Sequence, residues 1–323
     1  MARMTMAPSL DTVEQVPHGR TARRLEWQHL HPDVRSLVES RLGSPVREVR
    51  SMGSGFTPGF ASVLEAEDGS RIFVKAASKQ AQRQIAASYA EEVRKLPLLP
   101  EALPAPRLLW SAEDDRWVVL ATEYVEGRPP HRPWNPDELD RCLAALSSVA
   151  EATRVLPAGL DLVPLHVELP QLVTGWDTVA EQLPDWPHLS EVRELARSYA
   201  ELPDAGHLIH ADARDDNFIL ATDGRTLICD WNWPALGPAW QDVVDLLVTA
   251  HGDGHDADAL LAAHPSADGA DPDHVDAWLA SLCGYMVEAD FRPVPSSSPF
   301  LGVHRRWWAA ATWSWLSRRR GWR

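Results

Sequence analysis

One segment, Leu208–Leu220 (LIHADARDDNFIL), restricts the fold most strongly because it carries polar residues at fixed offsets and then turns apolar. Asp212 follows His210 by two positions, and Asn217 follows Asp212 by five. Polar side chains in such a run need hydrogen-bond partners or solvent, whereas the apolar residues after them favour a buried strand. The segment therefore predicts a polar loop that leads directly into a strand.

A hairpin is predicted immediately after this loop. The strand NFIL is followed by Asp223-Gly224 and by a second apolar run, TLICDW, and Asp-Gly between two such runs is a turn signal. The chain reversal brings Asn217, Asp230 and the loop residue Asp212 into one neighbourhood. Amide and carboxylate oxygens suit a hard divalent cation such as Mg²⁺, which completes its coordination with water and phosphate.

Length and charge limit the class of protein. The chain has 323 residues, 45% of them hydrophobic, which is enough to bury a core in two lobes. It has no apolar run of about 18 residues and no signal-like start, so a cytoplasmic location is expected and a membrane partner is not. The formal net charge of −15 argues against nucleic acid as a partner.

The amino-terminal half reads as a small antiparallel sheet. Residues 1–44 are polar and irregular, with a short helix expected near 33–41. Three strand-like runs follow from Val46, with Asp68-Gly69 as the turn between the second and third. A helix is expected to begin at Ser78, and two more strands complete a five-stranded sheet with one helix.

The character of the sequence changes after a Gly- and Pro-containing connector at 123–130. Asn135, Pro136 and Glu138 have the pattern of an N-cap, a first helical residue and a capping-box partner, and helical spacing dominates beyond them. The expected division is an extension at 1–44, a first lobe at 45–125 and a larger, mainly helical lobe at 126–323.

The motif HADARDDN, followed by ICDW, resembles the catalytic loop and metal-binding segment of the aminoglycoside phosphotransferase and choline kinase branch of the protein-kinase-like superfamily. The resemblance extends over roughly residues 46–290. It implies an α+β, two-lobed protein-kinase-like fold whose small lobe is the five-stranded sheet with its helix.

Three roles follow from this resemblance. Asp212 would accept or orient the proton of an acceptor hydroxyl, while Asn217 and Asp230 would hold Mg²⁺ on the phosphates of ATP, with GTP not excluded. His210 would support the loop. The structural alternative for the motif alone, without catalysis, is a capped turn rich in Asp and Asn.

The nucleotide site implied by the resemblance needs more elements, and the sequence offers them in the right order. A glycine-containing loop (Gly53, Ser54, Gly55, Phe56) precedes a strand lysine, Lys75, and Glu92 lies on the inward face of the next helix. A plain turn and a solvated glutamate are the alternatives for the loop and for Glu92. Glu123, Tyr124 and Val125 resemble a hinge that binds the adenine edge through its main chain.

The sequence also departs from the family pattern. Ala211 stands where a glycine is common, which should be tolerable if the backbone φ there is negative. No departure removes a phosphate or metal ligand, so an active enzyme is expected.

An acid-rich block favours a cationic acceptor, of which an aminoglycoside is one example. From Pro234 to Asp290 the chain has eleven acidic residues and no lysine or arginine. Asp242, Asp245 and, more weakly, Asp290 are the candidates to pair with ammonium groups, and a solvated acidic surface is the alternative. The sequence leaves other amines, choline-like bases, sugars and other antibiotics open.

The C-terminal segment RRWWAAATWSWLSRRRGWR predicts a packed helix with Trp308, Ala311 and Trp315 on its buried face and a solvated basic end. Membrane attachment is its alternative, and Trp307 or Trp322 could line an acceptor pocket.

The leading hypothesis is a kinase that transfers the γ-phosphoryl group of ATP to a small hydroxylated molecule, with no obligate protein partner evident. A nucleotide-binding pseudokinase and a protein kinase are the alternatives, the latter disfavoured because a helix follows Asp230 almost at once. Antibiotic resistance is a role that only the resemblance implies.

Overall fold

The computed structural model describes residues 6–14, 16–17, 21–53, 55–203 and 206–322. Within these ranges the chain forms an amino-terminal sheet with two helices and a larger, mainly helical part. This arrangement confirms the predicted α+β, two-lobed architecture.

Five antiparallel strands make the sheet in the order β1-β2-β3-β5-β4. The first three form the predicted meander, with Asp68-Gly69 at the turn between β2 and β3; Gly69 has a φ of 85°, which glycine adopts without steric cost. The strands are β1 Val46–Ser51, β2 Phe60–Ala66, β3 Arg71–Ser78, β4 Leu108–Glu113 and β5 Trp117–Glu123.

The helix α1, Pro32–Leu42, lies in the predicted extension and confirms the short helix expected there. Its buried residues Val34 and Val38 pack in one hydrophobic cluster with Phe60 and Val74 of the sheet. The extension therefore contributes to the core of the sheet, a contact for which no sequence pattern is a signal. The division at 1–44, 45–125 and 126–323 stays a prediction.

The helix α2, Arg83–Lys95, begins later than predicted. Ser78 is still the last residue of β3, and its hydroxyl accepts hydrogen bonds from the backbone N–H groups of Gln80 and Ala81 at 3.3 and 3.2 Å. Ser78 thus closes a turn between strand and helix. The predicted inward face is correct, because Tyr89 and Glu92 are buried.

The larger part begins with α3, whose cap was predicted only partly correctly. The side chain of Asn135 accepts from the N–H groups of Asp137 and Glu138, as expected for an N-cap. Glu138 is no capping-box partner, because its carboxylate binds Arg128 and the backbone N–H of His131. The remaining helices are α3 Pro136–Ala152, α4 Leu165–Glu168, α5 Gln171–Gln182, α6 Leu189–Ser198, α7 Gln241–Gly252, α8 Ala257–Ala263, α9 Pro272–Asp290 and α10 Leu301–Arg320.

Short strands carry the polar loop. The predicted hairpin is present as β8 and β9, joined through Asp223-Gly224, and a two-residue strand of the connector, β6, pairs with β8. A separate pair, β7 and β10, precedes the loop and follows the hairpin. Their bounds are β6 Gly127–Arg128, β7 His207–Ile209, β8 Phe218–Ala221, β9 Thr226–Ile228 and β10 Ala235–Gly237.

The acid-rich block and the basic end of α10 neutralise each other. Arg319 forms ion pairs with Asp258 and Asp276, and Arg320 pairs with Asp276 and Glu191. The predicted buried face of α10 is correct, but its basic end binds acids of α6, α8 and α9. No helix in the described parts of the chain combines the length and apolar character needed to cross a membrane.

Helices α5 and α9 approach each other at two glycines. A Cβ atom on Gly284 would lie 2.5 Å from Cδ1 of Trp176, and one on Gly175 would lie 2.9 Å from the carbonyl oxygen of Gly284. Trp176 is also fixed by a 2.7 Å hydrogen bond from its indole N–H to the carbonyl of Ala280. The contact leaves no room for a side chain at position 284.

We expect Gly284→Ala to lower the free energy of unfolding by about 1–2 kcal/mol, because overpacking outweighs the helix propensity gained from alanine. Urea denaturation measures the difference. Gly206→Ala is the control, since a Cβ there meets no atom within 4 Å. Equal stability of the two variants would contradict the tight α5–α9 contact.

Candidate functional site

Lys75 of β3 lies at the centre of a cleft between the sheet and the helical part. Its ammonium donates to both carboxylate oxygens of Glu92 on α2, at 2.9 and 2.7 Å, and also contacts the carboxylate of Asp230. The contact that the sequence predicted between Lys75 and Glu92 is therefore present. It joins the sheet to α2, and Asp230 joins both to the segment after β9.

The charges of this cluster support one another. Burial alone would lower the pKa of Lys75, but the carboxylates of Asp230 and Glu92 raise it above its ordinary value. Burial likewise opposes ionisation of Asp230, yet the Lys75 ammonium holds the pKa of that carboxyl below its usual range. Burial raises the pKa of Glu92. The ammonium of Lys75 is thus charged at neutral pH.

The polar loop holds Asp212 next to Asn217. The amide nitrogen of Asn217 donates to the backbone carbonyl and the carboxylate of Asp212, at 2.8 and 3.1 Å. Arg214 lies 2.9 Å from Asp212 and 3.3 Å from Asp216, a contact that the sequence analysis missed. Asp212 lies in a concave part of the surface, so the surrounding protein raises its pKa although 45% of its side-chain surface is accessible.

Asp242 of α7 fixes the backbone of the polar loop. The carboxylate of Asp242 accepts hydrogen bonds from the backbone N–H groups of His210 and Ala211, at 2.6 and 2.9 Å. His210 is buried and donates from Nε2 to the carbonyl of Cys229 at 2.8 Å. The carboxylate of Asp242 therefore has backbone partners within the fold, and its contact with an acceptor stays a prediction; His210 has the expected supporting position.

The backbone at Ala211 has a φ of 65°, a left-handed conformation. The negative φ at which alanine should be tolerable is therefore absent at position 211. A residue with a Cβ is strained there, and the two hydrogen bonds to Asp242 impose the conformation. Asp230 also has a positive φ, 72°, which aspartate adopts more readily than most residues.

A cavity of about 350 Å³ opens above Lys75. The residues predicted for nucleotide binding come together in its walls, apart from two. Ser54 lies outside the described residues, and Gly53 lies in the glycine loop but not in the cavity wall. Those lining residues are Gly55, Phe56, Lys75, Glu92, Glu123, Tyr124, Val125, Asp212, Asn217 and Asp230. Their individual roles stay predictions.

The glycine loop is fastened by parts of the chain to which the sequence analysis attached no chemistry. The N–H of Thr21 donates to the carbonyl of Gly53 at 3.0 Å, and Arg24 donates to the carbonyl of Thr57 at 2.8 Å. A Cβ on Gly55, whose φ is 78°, would lie 3.2 Å from the guanidinium of Arg24. Sequence spacing carries no signal for these contacts, because the partners are more than thirty residues apart.

A second, larger cavity of about 600 Å³ lies on the other side of Asp212. Asp245 lines it and accepts a 2.8 Å hydrogen bond from the indole N–H of Trp278. Asp290 lies outside this lining and pairs with Arg306 at 3.0 Å, and its contact with an acceptor stays a prediction.

The tryptophans of the C-terminal segment have different surroundings. Trp308 lines this second cavity, whereas Trp307 packs over Arg132 and Trp322 stacks on His188. The pocket-lining alternative for Trp307 and Trp322 is therefore wrong for this cavity, and Trp308 occupies that place.

The donor atoms near Asp212 suit a hard divalent cation. The amide nitrogen of Asn217 is engaged by Asp212, so its amide oxygen would be the atom offered to a cation, and Asp230 would supply a carboxylate. Within the described ranges no group of three or more His, Cys, Asp or Glu side chains forms a metal cluster. Two protein ligands suit Mg²⁺, which usually keeps waters and phosphate oxygens as its other ligands.

The run HGDGHDAD at 251–258 contains residue types that can bind metals, but its side chains have other contacts within the fold. His251 bonds Ser314, Asp253 bonds Arg132, and Asp256 caps α8.

Comparison with known protein families gives one decisive match. The model of the phosphotransferase enzyme family matches residues 54–278, which include the glycine loop, Lys75, the polar loop and Asp230. The chain belongs to the phosphotransferase enzyme family. The predicted resemblance to aminoglycoside phosphotransferases and choline kinases is confirmed.

Solved structures share the fold at low sequence identity. Choline kinase LicA from Streptococcus pneumoniae is 15% identical, with a TM-score of 0.60 over 88% of this chain and 99% of that one. The GDP and kanamycin complex of APH(2″)-IIia is 17% identical, with a TM-score of 0.59 over 90% and 99%. A thermostable mutant of APH(4)-Ia with ADP and hygromycin B is 15% identical, with a TM-score of 0.59 over 89% of this chain and 98% of that one. No curated protein sequence matched this phosphotransferase.

We expect Ala211→Gly to raise the free energy of unfolding by about 0.5–1 kcal/mol, because relief of the left-handed strain exceeds the entropy that glycine adds to the unfolded chain. Ala213→Gly is the matched control in the same loop; Ala213 is fully buried and has no positive φ. That control should lose stability in the same urea titration. Loss of stability in both variants would contradict strain at position 211.

Proposed function

We propose that this phosphotransferase is a small-molecule kinase that transfers the γ-phosphoryl group of ATP to a hydroxyl group. The observation that carries the proposal is the position of Asp212, which lines both cavities. One cavity contains Lys75 and the glycine loop, and the other offers room for an acceptor. A hydroxyl near Asp212 would face the terminal phosphate across a short distance.

The proposed reaction exchanges one phosphorus–oxygen bond for another. The acceptor oxygen forms a bond to the γ-phosphorus, the bond from that phosphorus to the β–γ bridging oxygen breaks, and ADP departs with the electron pair. Asp212 receives or directs the hydroxyl proton. Since the transition state of phosphoryl transfer is largely dissociative, positioning and charge stabilisation supply most of the acceleration.

The other side chains position the phosphates. Lys75, fixed by Glu92, would neutralise phosphate charge, and the glycine loop would cover the phosphates. Asn217 and Asp230 would hold Mg²⁺, which when bound neutralises charge on the phosphate oxygens. Glu123, Tyr124 and Val125 would contact the base through their main chain. Nucleotides are present in structures with this fold, namely AMP with LicA and ADP with APH(4)-Ia.

Arg214 adds a feature that the sequence did not suggest. Its guanidinium lies between Asp212 and Asp216 and 5.6 Å from the centre of the Phe56 ring. Asp212 is thus restrained from two sides, by Asn217 and by Arg214. A restrained carboxylate loses little entropy on binding a hydroxyl, which favours a positioning role for both partners.

We expect Asp212→Ala to reduce phosphoryl transfer by about 10³-fold while leaving nucleotide affinity little changed, because it removes the proton acceptor and no proposed phosphate ligand. Acceptor-dependent ADP release and a nucleotide titration measure the two quantities. Undiminished transfer by the purified variant would refute the role of Asp212.

Asp230→Ala should weaken Mg²⁺-ATP binding by about 10- to 100-fold, the effect of losing one charge-assisted contact. Calorimetric titration with Mg²⁺-ATP tests this. Asp115→Ala removes an acid from the exposed β4–β5 turn and serves as the control. Equal affinities of the two variants would remove Asp230 from the proposed metal site.

A catalytically inactive nucleotide-binding protein is the second candidate, favoured by the strained alanine in the catalytic loop. Mg²⁺-dependent ATP hydrolysis that disappears in Asp212→Ala would support the kinase. Nucleotide binding without such turnover would support the alternative.

A further inference from the structure

The cavity behind Asp212 is mainly apolar, although the surrounding sequence is acid-rich. Its walls come from α4 and α5, from α9 and from α10, with Phe56 and Trp233 at the side of the cleft. The apolar lining consists chiefly of Leu165, Leu169, Leu172, Trp278, Leu282, Met286 and Trp308. A surface of this composition gains free energy by covering apolar and aromatic groups of a ligand.

The charged groups of the lining do not favour a polycation. The lining contains four basic residues, Lys95, Arg214, Arg292 and Arg305, and three acids, Glu168, Asp212 and Asp245. A ligand with several ammonium groups needs several carboxylates, because each buried charge without a partner is costly.

The acids of this lining are already engaged or weakly charged. Asp212 pairs with Arg214, and Asp245 accepts from the indole of Trp278. Burial raises the pKa of Asp245 well above its ordinary value, which favours its neutral form. Glu168 is exposed at the rim. Little negative charge remains inside the cavity for an ammonium group to meet.

Several carboxylates of the acid-rich block have partners elsewhere in the fold. Asp242 supports the catalytic loop, Asp253 pairs with Arg132, Asp276 pairs with arginines of α10, and Asp290 pairs with Arg306. The negative potential expected from the sequence is therefore largely neutralised where an acceptor would bind.

We infer that the acceptor is an uncharged, mainly apolar alcohol with an aromatic or polycyclic body. This inference rests on the proposed function, since it names the substrate class of the same site. The apolar body lies between the walls formed by Leu169 and Met286, near the indole of Trp308, and its hydroxyl points to Asp212. A volume of about 600 Å³ accommodates a drug-sized molecule.

A matched pair of probes tests the charge preference without requiring turnover. 2-(1-Naphthyl)ethanol is neutral, and 2-amino-2-(1-naphthyl)ethanol adds one ammonium group to the same skeleton. We expect calorimetric titration of the intact protein to give at least tenfold tighter binding of the neutral probe. Kanamycin is the polycationic comparison and should bind more weakly than the neutral probe. Equal or tighter binding of either cationic compound would overturn the inference.

Two variants place a carboxylate in the lining of the cavity, one between α4 and α5 and one on α9. Met286→Glu and Leu169→Glu each alter a partly buried side chain, and each should weaken binding of the neutral probe by about tenfold. Val155→Glu adds the same charge at a position that is 84% exposed and should leave binding unchanged. Thermal melting identifies any variant that fails to fold, and the remaining wall variant then decides. Unchanged affinity in a folded wall variant would overturn the inference.

The two proposals fail in different ways. Binding of the neutral probe with the expected variant pattern, but without ADP release, would support the cavity assignment and contradict phosphoryl transfer to it. ADP release on addition of kanamycin, with no binding of the neutral probe, would support the kinase and contradict the apolar acceptor.

Discussion

The site depends on the hydrogen bonds between the carboxylate of Asp242 and the backbone of the polar loop. The carboxylate accepts the N–H groups of two successive loop residues, His210 and Ala211, and it holds Ala211 in a conformation that costs a residue with a Cβ about 1–2 kcal/mol. An unpaired carboxylate buried at this point would cost more, so the strained loop is stable as long as both hydrogen bonds persist. The loop in turn presents Asp212 to both cavities. A helix in the core thereby sets the position of the proposed catalytic group.

The second constraint is electrostatic and joins three separate parts of the chain. Lys75 comes from the sheet, Glu92 from α2 and Asp230 from the segment after β9, and their mutual contacts bring the sheet and the helical part to a common cleft. Removal of the lysine would leave the buried carboxylate of Glu92 and the partly buried one of Asp230 without their shared cation, so the cluster stabilises the cleft only as a unit. In the proposed function, the same geometry would place the ammonium of Lys75 against the phosphates of a nucleotide.

Sequence patterns predicted the local parts of this structure well. The strand periodicity, the Asp-Gly turns, the Asn135 cap and the inward direction of Glu92 depend on neighbouring residues, and each is found as expected. Patterns misjudged contacts between distant segments. The attachment of Thr21 and Arg24 to the glycine loop, the contact between Asp242 and the catalytic loop, and the pairing of α10 arginines with the acid block have no local signal. The expectation of a cationic acceptor depends on the number of acids in one segment. That number does not show where their carboxylates bind.

In the proposed function, a magnesium-bound nucleotide lies above Lys75 with its terminal phosphate facing Asp212. A crystal structure of the protein with Mg²⁺ and a non-hydrolysable ATP analogue would show this arrangement. We expect metal density bound by the amide oxygen of Asn217 and the carboxylate of Asp230, with the γ-phosphate directed toward the apolar cavity. A nucleotide bound elsewhere, or a triphosphate turned away from Asp212, would contradict it.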